Sequence, residues 1–245
     1  MVDVSPVVGE FVGTFVLIVL GNGVVAGALL NRSKAQNAGW ISITAGWAVA
    51  VFAGVAVSAA LGDTDGHLNP AFTLASVLMT GNSSRLATYI PAQILGALCG
   101  ATAVWLHYKP HWELTEDADS KFACFATAPA VYRPFWNFFS EVLATYILVL
   151  VAIALFSKRV APAGVVAGLG PILIGALVWG IGLSLGGTTG YAVNPARDLG
   201  PRIAHALLPI AGKGASGWRY AWVPIVGPLV GAALAAATVK VLNMT

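Results

Sequence analysis

Residues 190–200 read GYAVNPARDLG, and this stretch decides the fold of the chain. The charged residues Arg197 and Asp198 follow an Asn-Pro-Ala sequence, in a protein with 58% hydrophobic and only 9% charged residues. The same three letters occur earlier, at Asn69-Pro70-Ala71. Asn is a favoured N-cap and Pro a favoured first helical residue. Each Asn-Pro-Ala sequence therefore predicts the start of a helix.

The composition of the 245 residues is that of an integral membrane protein. Roughly a quarter of the residues of a soluble protein are charged, and the mean hydropathy here is +0.80. The apolar residues also come in long runs, and runs of about 20 span a bilayer as helices. The scattered net charge of +3 argues against nucleic acid as a partner. Two cysteines make no metal-site spacing.

Eight apolar segments follow one another along the chain. We predict six transmembrane helices, over residues 6–30, 39–61, 86–107, 135–157, 165–185 and 220–242. Two shorter stretches, 70–80 and 195–208, both begin at Asn-Pro-Ala and are too short to cross about 30 Å of hydrocarbon. We predict that these two are re-entrant half-helices in an all-α membrane protein.

The two halves of the chain resemble each other. Glu10-Phe-Val-Gly-Thr14 in the first helix matches Glu141-Val-Leu-Ala-Thr145 in the fourth. Each half has three spanning helices, so the second half must enter from the opposite side, which makes an inverted repeat. We predict a first repeat at 1–107, a connecting loop at 108–133 and a second repeat at 134–245. The half-helices then meet near the midplane, and the loops before them line an aqueous path.

Glycines spaced four residues apart recur in the apolar segments. Small residues at this spacing let membrane helices pack closely. We predict that role for the pairs Gly9/Gly13, Gly23/Gly27, Gly96/Gly100, Gly164/Gly168, Gly182/Gly186 and Gly227/Gly231.

The sequence resembles the aquaporins, or major intrinsic proteins, along essentially its whole length. The likeness rests on the two NPA sequences, on the repeated glutamates and on the order of the eight segments. It implies the aquaporin fold in a homotetramer within the lipid bilayer. It also implies a passive pore that is not an enzyme and needs no cofactor or metal.

The resemblance assigns roles to residues beside the NPA sequences. Asn69 and Asn194 are expected to donate hydrogen bonds to the solute, each followed by the helix-starting pair Pro70-Ala71 or Pro195-Ala196. Glu10 and Glu141 are expected to accept hydrogen bonds from the loop backbone, with Asp198 as a further structural support. The expected pore-lining carbonyls are those of Asp65, Gly66, His67, Gly190, Tyr191 and Ala192.

Within that family the chain is similar to the glycerol-conducting branch. The outer constriction of those channels corresponds here to Trp47, Gly182, Tyr191 and Arg197. Water-selective members usually carry histidine where this chain has Gly182. Replacing Gly182 with His is therefore expected to reduce glycerol flux and to spare water. We expect Arg197 to face the pore, where it donates hydrogen bonds to solute and repels cations.

Two features depart from the family pattern. Position 191 is Tyr, where glycerol channels commonly have Phe, and this makes the constriction more polar. The stretch Gly62-Asp-Thr-Asp-Gly66, before the first NPA sequence, is about two residues longer than usual.

Two alternative functions stay open from the sequence. One is a water-selective channel, and the other is an ion-coupled secondary transporter in which Glu10 and Glu141 carry protons. Inverted repeats and broken helices occur in transporters as well. Among channel solutes, glycerol, water, other polyols, urea and small protonated acids all fit the pattern.

The orientation in the membrane has conflicting signals. The resemblance implies a multi-pass protein of the cell membrane with both termini in the cytoplasm. The positive-inside rule expects Lys and Arg in cytoplasmic loops, and the loop count in this chain favours the reverse orientation. We keep the family topology as the expectation.

Overall fold

The computed structural model describes residues 5–63 and 65–244. Within these ranges the chain forms ten α-helices and no strand. In chain order they are α1 (Pro6–Leu29), α2 (Gly39–Ala60), α3 (Pro70–Thr80), α4 (Ser84–His107), α5 (Lys109–Leu114), α6 (Ala118–Ala123), α7 (Pro134–Phe156), α8 (Leu169–Leu185), α9 (Pro195–Leu207) and α10 (Trp222–Val241).

The long helices agree with the predicted spans, with one difference at α8. Five helices, α1, α2, α4, α7 and α10, have the length and hydropathy to cross a membrane. Helix α8 has only 17 residues, at the lower end of the spanning range. It begins at Leu169 rather than at residue 165, because Gly164 and Gly168 have left-handed φ angles of 84° and 81°. A right-handed helix cannot continue through such residues.

The connecting segment is a packed element and contains two helices that the sequence pattern did not indicate. The carboxylate of Asp117 caps α6 by accepting hydrogen bonds from the backbone amides of Asp119 and Ser120, at 3.2 and 3.1 Å. Hydrogen bonds from Ser120 hold the pKa of Asp117 below its usual value. The apolar side of the segment is buried, through Trp112, Phe122, Cys124 and Phe125. These buried side chains pack the segment against the transmembrane helices.

The helix contacts repeat between the two halves. Helix α1 packs against α2 and α4, and its counterpart α7 packs against α8 and α10. Each half-helix also packs against the last helix of the other half, α3 against α10 and α9 against α4. This reciprocal exchange is the contact pattern of an inverted repeat, and it brings the starts of α3 and α9 together at the centre.

The glycine pairs do not all serve helix packing. A methyl group added to Gly13 would lie 2.9 Å from the carbonyl oxygen of Gly54, and one added to Gly100 would lie 2.8 Å from that of Phe15. Gly9/Gly13, Gly96/Gly100 and Gly227/Gly231 thus permit close helix contact, as predicted. The prediction is wrong for Gly164/Gly168 and for Gly23 of Gly23/Gly27, since a methyl group added to any of these three glycines would have no neighbour within 4 Å.

Candidate solute pathway

Both half-helices begin at the proline of an NPA sequence. The side-chain oxygen of Asn69 accepts a hydrogen bond from the Ala71 amide at 2.9 Å, which caps α3. Asn194 caps α9 in the same way, through the amides of Ala196 and Arg197 at 3.0 and 3.2 Å. Each asparagine oxygen is therefore used by its own helix, and each side-chain nitrogen is left free to reach outward.

The two asparagines join the two halves of the protein. The Nδ2 atom of Asn69 donates to the carbonyl oxygen of Val193 at 2.9 Å. The Nδ2 atom of Asn194 donates to the carbonyl oxygen of Leu68 at 2.8 Å. An asparagine NH₂ group has two donors. Each asparagine therefore keeps one further N–H donor after it has bound the opposite loop.

Each repeated glutamate organises the loop before an NPA sequence. Glu10 accepts hydrogen bonds from the amides of His67 and Leu68 at 2.7 and 2.8 Å. Glu141 does the same for Ala192 and Val193, both at 3.0 Å. Both glutamates are fully buried. Because their carboxylates hold the backbone N–H groups on one side, the carbonyls of these loops are free to face the other side.

The residues just before the NPA sequences have strained backbones. Leu68 and Val193 have φ angles of 49° and 44°, and Tyr191 has a φ angle of 38°. Positive φ is uncommon outside glycine and is an outlier for a β-branched residue such as Val. Such strain costs about 1–3 kcal/mol and persists where the surroundings enforce it. Here the glutamates and asparagines supply that enforcement.

Arg197 faces Trp47 across the second half-helix start. Its Cζ atom lies 4.4 Å from the Trp47 ring centroid, within the range of a cation–π contact. Its Nη1 atom is buried without a hydrogen-bond partner among the described residues. Trp47 itself is buried and packs against Gly21 of α1, where any larger side chain would overlap the indole. The guanidinium therefore retains donor capacity beside a fixed aromatic wall.

Gly182 lies against the Tyr191 ring. A methyl group added to Gly182 would lie 2.9 Å from Cζ of Tyr191 and 2.9 Å from Cγ2 of Thr44. From the resemblance to the glycerol branch we expected Gly182, in place of a histidine, to leave the path wider, but Tyr191 fills the space beside it. We infer that a histidine at 182 would displace the Tyr191 ring and would change the path through that ring.

Asp198 belongs to a buried ion pair with Arg202, on the next turn of α9. The Nε atom of Arg202 donates to Asp198 at 2.8 Å, and both side chains are fully buried. Asp198 also accepts hydrogen bonds from the backbone amide and the hydroxyl of Thr127, at 2.8 and 2.7 Å. Arg202 further donates to the carbonyls of Thr127, Ser216 and Gly217. Asp198 thereby ties α9 to the connecting segment.

A cavity of about 700 Å³ leads to the meeting point of the half-helices. Of the predicted constriction residues, Trp47, Tyr191 and Arg197 line it, and Gly182 does not. Of the predicted carbonyl residues, all but Gly190 line it, and both NPA asparagines do so too. The facing wall is apolar, with Leu17, Val51, Val55, Phe72, Leu148, Ile174 and Val178. The path is polar on one side and apolar on the other.

The longer first loop is anchored by its own acidic residues. Asp63 accepts a hydrogen bond from the Ser58 hydroxyl at 2.8 Å and is buried. Asp65 forms an ion pair with Arg85 at 2.5 Å. Thr64, which lies between them, is outside the described residues.

Several residues of the site were missed by sequence reasoning. Leu68 and Val193 supply the carbonyls that the asparagines bind, and their only signal is that each immediately precedes an NPA sequence. Arg202 had a stronger signal, because a cation four residues after Asp198 on one helix is placed to pair with it. Gln93 and Thr189, the third donors to Glu10 and Glu141, have no local signal, since both bonds join distant parts of the chain.

Comparison with known proteins agrees with this architecture. Residues 3–238 match the family described as "Major intrinsic protein". The chain is 56% identical over 236 residues to the "Glycerol uptake facilitator protein 3" of Lactiplantibacillus plantarum, covering 96% of this chain and 95% of that protein. It is 50% identical to the "Glycerol uptake facilitator protein" of Streptococcus pneumoniae, covering 93% and 94%.

A solved structure shows the same fold. The X-ray structure of the aquaglyceroporin from Plasmodium falciparum superposes with a TM-score of 0.83 at 28% identity, and covers 98% of both chains. The family match extends over most of the chain, and the relatives are well above 30% identical. The chain belongs to the major intrinsic protein family and has the aquaporin fold.

Proposed function

We propose that this protein is a passive channel that conducts glycerol and water down their gradients and excludes ions and protons. The observation that carries the proposal is the pairing of Arg197, with its uncommitted Nη1 atom, with the Trp47 ring at the end of the amphipathic cavity. Glycerol has hydroxyls on one edge and a carbon backbone on the other. Arg197 and the loop carbonyls bind the hydroxyls, while Trp47 and Tyr191 contact the carbons.

The names of similar proteins support the same solute. Two relatives at 56% and 50% identity are called glycerol uptake facilitator proteins, and the structural neighbour is called an aquaglyceroporin. At this level of identity, over nearly the whole chain, the solute class of the relatives is a sound basis for the proposal. In it the protein couples no energy, catalyses no reaction and requires no cofactor or metal.

Ion exclusion follows from the placement of the half-helices. The start of a helix carries a partial charge of about +0.5, and α3 and α9 both begin beside the cavity, at Asn69 and Asn194. Arg197 adds a full positive charge near the same point. A cation or hydronium ion that enters therefore meets a positive field and loses its hydration shell, at a large cost in free energy. For a neutral polyol this cost is small.

The transporter alternative needs a carboxylate that can exchange protons. Glu10 and Glu141 each accept three hydrogen bonds within the protein, and both are fully buried. Proton uptake would break contacts that hold the pathway loops in place. We therefore assign both glutamates a structural role.

The assembly and its orientation are part of the proposal. We infer a homotetramer in the cell membrane with both termini in the cytoplasm. An epitope tag fused after residue 245 that is reached by antibody only in permeabilised cells would support this orientation. A tag that is reached by antibody in intact cells would indicate the opposite orientation, with the C-terminus outside the cell.

Stopped-flow light scattering on proteoliposomes tests the proposed function. Shrinkage in an impermeant osmolyte measures water flux, and re-swelling in glycerol, urea or lactic acid at low pH measures solute flux. Fast shrinkage with fast glycerol re-swelling, independent of proton and sodium gradients, is the expected result. Water flux without glycerol flux would indicate a water-selective channel. Fluxes that follow an ion gradient would indicate a transporter.

A further inference from the structure

The Tyr191 ring lies in a shallow groove on α8. The groove is formed by Gly182 and by Gly186, which directly follows the last residue of the helix. A methyl group added to Gly186 would lie 2.5 Å from Cδ1 of Tyr191, and one added to Gly182 would lie 2.9 Å from Cζ. The two glycines therefore leave space for the ring along its whole length. Packed in this groove, Tyr191 lines the cavity.

Polar contacts do little to hold the Tyr191 ring in the groove. Its hydroxyl is buried and has no hydrogen-bond partner among the described residues. Its backbone is strained, with a φ angle of 38°. A buried hydroxyl without a partner is unfavourable, so a loose ring would turn until its hydroxyl met water in the pathway. Packing must hold the ring in place.

Trp40, near the start of α2, supplies that packing. Its indole stands edge-on to the Tyr191 ring, with centroids 5.9 Å apart and planes at 81°. Its Nε1 atom donates a hydrogen bond to the carbonyl oxygen of Gly182 at 3.1 Å. A methyl group added to Gly186 would lie 2.9 Å from Cζ2 of Trp40. Trp40 thus touches Tyr191 and both glycines of the groove.

We propose that Trp40 is a positioning residue of the solute constriction, which holds the Tyr191 ring against α8 and so sets the width available to glycerol. Trp40 is 40% exposed and is not among the cavity-lining residues, so it acts through Tyr191. The effect on glycerol rests on the proposed function. The position of the Tyr191 ring does not, and it can be measured independently.

Flux measurements test the functional part. In Trp40→Ala we expect the ratio of glycerol to water permeability to fall about fivefold, because one hydrogen bond and one edge-to-face contact are lost. Glycerol is wider than water, so a displaced Tyr191 ring hinders it more. Trp40→Phe removes the Nε1 donor and part of the ring surface but keeps an aromatic ring, and it should reduce the ratio about twofold. Trp222→Phe is the matched control, since Trp222 also lies at a helix start, is 44% exposed and stacks on Phe138.

A double-mutant comparison separates positioning from general destabilisation. In a Tyr191→Ala background, Trp40→Ala should leave the permeability ratio unchanged, because the ring that it positions is gone. A purely structural role would lower water and glycerol flux together and leave their ratio as in the wild type. An unchanged ratio in Trp40→Ala, or the same fall with and without the Tyr191 ring, would overturn the proposal.

Fluorine NMR reads the ring directly and needs no glycerol flux. The protein contains six tyrosines, and after 3-fluorotyrosine labelling the resonance missing from Tyr191→Phe belongs to Tyr191. We expect Trp40→Phe to shift and broaden this resonance and Trp222→Phe to leave it in place. An unmoved resonance in Trp40→Phe would contradict the positioning role. A wild-type protein without glycerol flux would contradict the proposed function alone, and the resonance would then decide the role of Trp40.

Discussion

The loops before the two half-helices share a scaffold and differ in what they carry. In both, a buried glutamate accepts two backbone hydrogen bonds, and the carbonyl before the NPA sequence binds the asparagine of the other half. Counted from each asparagine, however, Phe72 and Thr73 stand where the second half has Arg197 and Asp198. The inverted repeat therefore builds one symmetrical frame, and of its two half-helices only α9 carries charged residues.

The shared frame should give the largest effects. Replacing Glu141 with Gln turns one of the two oxygen acceptors of three buried hydrogen bonds into an NH₂ group, which faces a donor. We expect the free energy of unfolding to fall by about 4 kcal/mol or more. A hydrogen bond to a charged group contributes about 1.5–3 kcal/mol, and a buried donor left without an acceptor adds a further penalty. Glu10→Gln should be equally severe. Thermal unfolding of the detergent-solubilised protein measures both, and the exposed Glu116→Gln is the control. A mild effect at either glutamate alone would show that the frame is not energetically symmetrical.

The buried ion pair of the second half should give the next effect. Arg202→Met leaves Asp198 buried without its cation, which should lower the free energy of unfolding by about 3 kcal/mol or more. The equivalent position in the first half is Val77, where no such pair is needed. Adding Asp198→Asn should restore part of the stability, because the unpaired charge is removed. Unfolding temperatures of the single and double variants decide this, and a double variant less stable than Arg202→Met would refute it.

Arg197 should matter more for permeation than for folding. Arg197→Phe copies Phe72 of the first half and removes a charged donor from the constriction. We expect glycerol permeability to fall about tenfold, which corresponds to about 1.4 kcal/mol of lost interaction with the hydroxyls. Leakage of cations or protons should rise at the same time. Liposome swelling and a pH-sensitive dye measure the two effects. The exposed Arg219→Phe should change neither.

The ion pair on the longer first loop should give the smallest effect. Asp65 and Arg85 are about one-third exposed, at 31% and 32% of their side chains. Solvent screens such a pair, so Arg85→Ala should cost less than about 1 kcal/mol. Glycerol and water fluxes should stay within about twofold of the wild type, because Arg85 does not line the cavity. A large loss of flux would give this departure from the family pattern a functional role.

The sequence by itself determined the class of the protein and the frame of its pathway. Long apolar runs make spanning helices because a helix satisfies its backbone hydrogen bonds within the segment, where hydrocarbon offers no partner. Asn-Pro marks a helix start through local capping, so the first residues of α3 and α9 were predictable. The repeated glutamates and the odd number of spans implied the inverted repeat.

Only the tertiary structure decided which groups meet around the cavity. Asn69 binds Val193 across 124 residues of sequence, and Trp40 binds Gly182 across 142. No local pattern encodes such pairs, because they depend on how the two halves pack. The same holds for Gly182, which the sequence assigned to the width of the path and the structure places beneath Tyr191. Helix capping and hydropathy depend on residues that are close together in the sequence. Packing between distant segments is determined only when the chain folds and brings them into contact.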